Sequence, residues 1–194
     1  MTTLEHRLRI GPGTLRPPRL PDADVAYIVH PTTVGPLVLA VDGQGAVLCC
    51  SYDDEQQVTE HLARAVSPRV LRQGRRLDPL RRQLDEYLAG QRRSFALAVN
   101  LALASDFTRR ILEALPDLAY GTTASYVALA ERAGAPRAAR AVGNALGVNP
   151  VCILVPCHRV TRSDGSLGGY AGGPAAKQLL LDLERDAHET SKKT

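Results

Sequence analysis

A chain of 194 residues that is 44% hydrophobic and 23% charged is long enough to bury a sizeable core and too apolar to be mainly disordered. No apolar run approaches the roughly 18 residues of a membrane span, and the first two dozen residues hold no apolar segment of secretory type, so the expected compartment is the reducing cytoplasm. A net charge of +4 is too weak to name a nucleic-acid partner, and four cysteines in such a compartment read as core residues, ligands or nucleophiles rather than disulfides.

Residues 1–22 carry Gly11, Pro12, Gly13, Pro17, Pro18 and Pro21, a composition that predicts an irregular N-terminal extension. Segments 25–30, 37–41 and 46–50 are short apolar or β-branched runs. The last two flank Asp42-Gly43-Gln44-Gly45, so three antiparallel strands are expected. Val58, Leu62, Ala65 and Val66 recur at helical spacing before Pro68, which predicts a helix over 55–66 covering that sheet. Asp78-Pro79 looks like an N-cap and a first-turn proline, opening a helix with Leu80, Leu84, Tyr87 and Leu88 on one face until Gly90. Residues 95–103 suit a strand or a connector. Asp106 is the expected cap of the next helix, which carries Phe107, Ile111, Leu112 and Leu115 and ends at Pro116.

Beyond that point the segments 125–133 and 137–146 read as two short helices around Gly134-Ala135-Pro136, the helix-turn-helix pattern. Between Arg132 and Ser163 stand Arg132, Arg137, Arg140, Arg159 and Arg162 with no acidic residue, so any contact with a phosphate backbone belongs here. Helix pairs of this kind also serve proteins that never touch DNA, and the pattern leaves both readings open. A glycine-rich stretch over 165–173 leads into a closing amphipathic helix over 174–187 with Leu179, Leu180 and Leu183 facing inward.

The densest chemistry lies in Asn149-Pro150-Val151-Cys152-Ile153-Leu154-Val155-Pro156-Cys157-His158-Arg159-Val160. Cationic neighbours stabilise a thiolate, which makes Cys157 a nucleophile candidate; the alternative is a small buried residue beside a surface histidine. Adjacent side chains of an extended segment point apart, so proton transfer from Cys157 to His158 needs a turn or a bridging water. A third group must orient the histidine, and Glu184 qualifies if the fold brings it back. No CxxC pair or spaced histidine pair is present, so no metal site is expected. The loop GSLGGYAGG lacks the Lys-Ser/Thr ending of a phosphate loop, so no nucleotide cofactor is expected either.

Pro156-Cys157-His158-Arg159-Val160, with Asn149-Pro150 before it and Gly169-Tyr170-Ala171-Gly172-Gly173 after it, resembles the O6-alkylguanine-DNA alkyltransferases, the methylated-DNA-protein-cysteine methyltransferases. The likeness runs through 125–160 and on to 177–184, and more loosely back to 85–95 and 34–45. It implies an α/β protein: a small ribonuclease-H-like α/β domain with an antiparallel sheet over 23–100, then a mostly helical, winged-helix-like domain with the helix-turn-helix over 101–188. It implies that Cys157 takes an alkyl group from O6-alkylguanine after nucleotide flipping and keeps it as a thioether, with O4-alkylthymine a further candidate substrate and no cofactor. His158, through a water, and Glu184 would form the proton relay, with Asn149 bracing the turn. Tyr126 would help rotate and hold the nucleotide, Tyr170 and Ala171 would close over the base, and the Val160 carbonyl would face its exocyclic amine. Arg140 would fill the vacated stack from the minor groove, with Arg137, Ala139 and Gly143 on the same DNA-facing surface. The implied partner is double-stranded DNA containing O6-alkylguanine, bound by a monomer. The sequence departs from the family pattern at Thr108, at Leu112 where an aromatic residue is usual, and at Ala119 where proline is usual. The alternative reading is a non-catalytic protein that binds alkylated DNA, or regulates, through the same helix pair.

Overall fold

The β-branched runs form the first sheet: β1 (Val25–His30), β2 (Leu37–Asp42) and β3 (Val47–Ser51) are antiparallel neighbours, with Ala26 opposite Val41 and Leu39 opposite Cys50. The turn between β2 and β3 closes because Asp42 Oδ1 accepts from the Gln44 and Ala46 amides at 2.9 and 3.0 Å. These strands belong to a computed structural model that describes residues 23–192, with side chains through 186; the expected extension 1–22 lies outside the described residues.

Helix α1 (Glu55–Ala65) follows, capped by the Asp54 side chain, and then β4 (Val70–Arg72) pairs in parallel with β1. The sheet order is therefore β3-β2-β1-β4. Strand β4 escapes sequence reading because three half-exposed residues are too few to show a period. Helix α1 buries Val58 and Leu62 against Val25, Val38, Ala40 and Leu48 on one face of the sheet. The other face joins a larger core containing Leu37, Leu39, Leu84, Tyr87, Ile111 and Leu112, which continues without a break into the second half of the chain.

A 3-10 turn (Gly74–Leu77) leads into α2 (Asp78–Leu88), and α3 spans Asp106–Glu113. Neither aspartate is the cap that the sequence suggests. Asp78 is already the first residue of α2, continuing the 3-10 turn, and the cap of α3 is Ser105, whose hydroxyl accepts from the Thr108 amide. Residues 95–103 are a connector that touches β3 through a single bridge, Val47 to Val99.

The helix pair is α4 (Tyr126–Arg132), capped by Ser125, and α5 (Ala139–Gly147). Arg137 thus sits in the turn rather than on the second helix. Two short strands missing from the sequence reading, β5 (Ala124–Ser125) and β6 (Val160–Thr161), pair in parallel and tie the start of α4 to the residues just after Cys157. Helix α6 spans Gly173–Lys192. Its buried face is Ala176, Lys177, Leu180 and Glu184, whereas Leu179, expected inward, is 53% exposed. Among the described residues no helix is long and apolar enough to cross a membrane.

Candidate active site

The segment leading to Cys157 is held by the first sheet. The Cys50 amide of β3 donates to Pro150 O and the Cys152 amide donates to Cys50 O, each at 2.8 Å. The chain then reverses through Ile153, whose φ of +73° is the one positive value at a non-glycine residue among the described residues. Such a conformation costs a β-branched residue about 1–3 kcal/mol and persists only where the surroundings enforce it. Asn149 enforces it here. Its Nδ2 donates to Val155 O at 3.0 Å and its Oδ1 accepts from the Val151 amide at 3.0 Å. The same Nδ2 donates to Cys157 Sγ at 3.1 Å, so the side chain that shapes the turn also holds the sulfur.

Cys157 opens a 3-10 turn (Cys157–Arg159), which removes the obstacle that an extended segment would set between it and His158. Both are buried. His158 Nε2 lies 2.6 Å from Glu184 Oε1 on α6, while His158 Nδ1 is buried with no protein partner. Glu184 also accepts from the Tyr87 hydroxyl, from Arg159 Nε at 3.1 and 3.0 Å, and from the Gly121 amide at 2.8 Å. Burial alone would raise the Glu184 pKa; the hydrogen bonds and charges of His158, Arg159 and Tyr87 outweigh it and bring it to about 2. Burial lowers the His158 pKa, against the pull of Glu184, and favours a neutral ring. A charged carboxylate at Nε2 assigns the proton to that nitrogen, which leaves Nδ1 as the acceptor.

Arg159 corrects the reading of the arginine stretch. It is buried, bound to Glu184 and to Leu118 O at 2.7 Å, so it braces the Glu184 carboxylate and does not reach a phosphate. Arg132, Arg137, Arg140 and Arg162 are exposed.

Lys177 was not among the expected site residues. It is fully buried on α6, and its Nζ donates to Val160 O at 2.5 Å and to Gly169 O at 3.3 Å. Burial brings its pKa down to about 8, opposed by the charge of a Cys157 thiolate. The Cys157 pKa is lowered by a hydrogen bond from Cys152 and, against burial, by Asn149 and Lys177. One signal was available: Lys177 and Glu184 are seven apart, two helical turns, and share a face. The Val160 carbonyl already carries Lys177, so contact with a base amine would use its second lone pair.

A groove of about 540 Å³ is lined by Tyr126, Ala139, Arg140, Gly143, Tyr170 and Ala171 among others, which brings together most of the expected substrate and DNA residues; Arg137 and Val160 stay outside its lining. Gly168 has φ +68°, and a Cβ there would stand 2.6 Å from the Tyr126 hydroxyl, so both backbone and space require glycine. Among the described residues no group of three His, Cys, Asp or Glu side chains is placed to hold a metal ion.

Residues 106–186 match the family described as 6-O-methylguanine DNA methyltransferase, DNA binding domain. A methylated-DNA-protein-cysteine methyltransferase of Methanosarcina acetivorans is 35% identical over 159 residues, which is 81% of this chain and 97% of that protein. This chain belongs to the methylated-DNA-protein-cysteine methyltransferase family. Another member, from Mycolicibacterium paratuberculosis, is 52% identical over 103 residues, 53% of this chain and 62% of that relative's length. The O6-methylguanine methyltransferase structure of Mycobacterium tuberculosis superposes with a TM-score of 0.72 at 36% identity, covering 84% of this chain and 94% of that one. A second structure of that methyltransferase, in complex with DNA, gives 0.72 at 33% identity, with the same coverage. The mixed α/β architecture with a small sheet is therefore the methyltransferase family's own.

Proposed function

We propose that the protein repairs DNA by direct reversal, with Cys157 taking the alkyl group from O6-alkylguanine. The observation that carries this is the line of contacts Asn149, Cys157, His158, Glu184: a buried thiol held by an amide, beside a neutral imidazole whose free acceptor nitrogen is set by a carboxylate on its other side. A water on His158 Nδ1 relays the Cys157 proton to the ring, and Glu184 stabilises the imidazolium. The thiolate then attacks the alkyl carbon, an S–C bond forms, and the C–O6 bond breaks with its electrons passing to guanine, which takes up a proton. The thioether remains, so each chain acts once and needs no cofactor.

A base within a duplex hides its O6 substituent from a buried sulfur, so the nucleotide is flipped at a cost of a few kcal/mol. Exposed Arg140 on α5 fills the vacated stack, and the small residues Ala139 and Gly143 let α5 enter the minor groove, flanked by Arg137. The Tyr126 hydroxyl and the Ala171 amide donate to the departing guanine, where charge develops in the transition state. Tyr170 closes over the base and Val160 O faces its amine. O4-alkylthymine presents the same alkyl–oxygen bond. The DNA-bound structure of the mycobacterial relative supports DNA as the partner. This reading takes 23–100 as a ribonuclease-H-like domain and 101–188 as a winged-helix-like domain, acting as a monomer in the cytoplasm, where four free buried cysteines persist.

The test is incubation with duplex DNA bearing O6-methylguanine, followed by peptide mapping. A methyl group on the Cys157 peptide, absent in Cys157→Ser, supports the proposal. A lesion bound but chemically intact establishes the non-catalytic reading instead.

A further inference from the structure

Tyr52, which directly follows β3, is a half-buried residue that the reaction described above does not use. Its position is fixed by its neighbours: Ser51 Oγ donates to Asp53 Oδ2 at 2.6 Å, and Asp54 caps α1. From there the ring reaches the loop that follows β6. It packs edge-on against Tyr170, with centroids 5.6 Å apart and planes at 72°. It also occupies the place of a side chain at residue 172. A Cβ on Gly172 would lie 2.5, 2.7 and 2.8 Å from Tyr52 Cζ, Cε1 and Cε2. Gly172 has no left-handed backbone to explain its glycine; the Tyr52 ring is the explanation.

The same strand holds the opposite wall. Two residues before Tyr52, Cys50 pairs with the backbone of Pro150 and Cys152, the segment leading to Cys157. On its other side Tyr170 stands edge-on to His158, with centroids 6.4 Å apart and planes at 80°, so the ring that Tyr52 backs borders the residue next to Cys157. One rigid strand end thus sets both the thiol segment and the back of the base-closing loop.

We propose that Tyr52 is a positioning residue that limits the size of the alkyl group Cys157 accepts, by holding residues 170–172 forward from behind. The proposal rests on the alkyl-transfer reading. With the ring in place the loop cannot retreat, so a methyl group fits beside the sulfur and a bulky group meets a fixed wall.

The experiment compares single-turnover transfer from O6-methylguanine and O6-benzylguanine in the same duplex. Removing the ring in Tyr52→Ala, or in Tyr52→Leu if the smaller residue unfolds the strand end, raises the benzyl-to-methyl ratio of maximal rates by about tenfold or more, the scale that small changes in pocket room command. DNA affinity stays unchanged, and Tyr52→Phe, which keeps the ring, keeps the ratio. Gly172→Ala alone slows both transfers, and combining it with Tyr52→Leu restores them because the colliding ring has gone. An unchanged ratio in a folded ring-less variant, or Gly172→Ala equally damaging with and without the ring, overturns the role of Tyr52 alone. Failure of the unaltered protein to accept either group overturns the alkyl-transfer reading and this proposal with it.

Discussion

Glu184 shows how a residue unremarked by its neighbours in sequence becomes central in space. Its folded pKa of about 2 lies below its ordinary value of 4.5, so the stability it contributes is present above pH 4.5 and is lost as pH falls from 4.5 towards 2. The linkage is on the order of 3 kcal/mol. In Glu184→Gln, urea unfolding at pH 7 should show at least that loss, because Arg159 is left buried without its carboxylate, and the decline in stability towards pH 3 should flatten. Lys177 makes a second prediction of pH dependence. Its ammonium is charged below about pH 8 and neutral above it, while Cys157 ionises below its ordinary range. The single-turnover rate should therefore rise as the thiolate forms below a free thiol's range and then level off, because proton loss from Lys177 above about pH 8 leaves the thiolate in place; Lys177→Met should move the rise to higher pH. Cys157, His158 and Asn149 were legible because they sit within one short motif. Lys177 was not, since a lysine on an amphipathic helix reads as solvent-facing unless its partner two turns away is noticed. Arg159 was misread because a charge count carries no information about burial, and Tyr52 draws no notice in the sequence because its partners Tyr170 and Gly172 are remote along the chain.

At the scale of elements, periodicity and punctuation located the three antiparallel strands and the helices, and erred at their ends. Asp78 and Asp106 attract the cap assignment by residue type, but the 3-10 turn before α2 and the Ser105 hydroxyl before α3 take the terminal positions. Strands β4, β5 and β6 exist only through pairing with distant segments, and two or three residues hold no pattern of their own. The start of α5 at Ala139 matters for function, because it puts Arg140 in the first turn, exposed and on the groove, and leaves Arg137 in the connecting turn. Arg140→Ala should slow transfer from duplex DNA by about tenfold or more, the effect of losing roughly 1.4 kcal/mol from a flipped state, with a smaller loss on free O6-benzylguanine. Equal losses on both substrates remove the stacking role of Arg140.

Across the whole molecule, the two halves share one buried core, and the first sheet grips the segment leading to Cys157 through Cys50, Pro150 and Cys152. The departure at Leu112 falls inside this core: the side chain is fully buried, so an aliphatic residue packs where the family pattern has an aromatic one. Leu112→Ala should cost about 2–5 kcal/mol in chemical denaturation, the range for emptying a packed leucine site. A sequence can announce such a residue as apolar; only the assembled fold shows that it is fully buried in the core that both halves share. The most direct measurement of the central claim is methyl counting by mass after exposure of the protein to excess O6-methylguanine duplex. The expected result is one methyl group per chain, on Cys157, with one guanine restored for each. More than one guanine restored per chain, or a methyl group found on Cys152 with Cys157 unmodified, contradicts it.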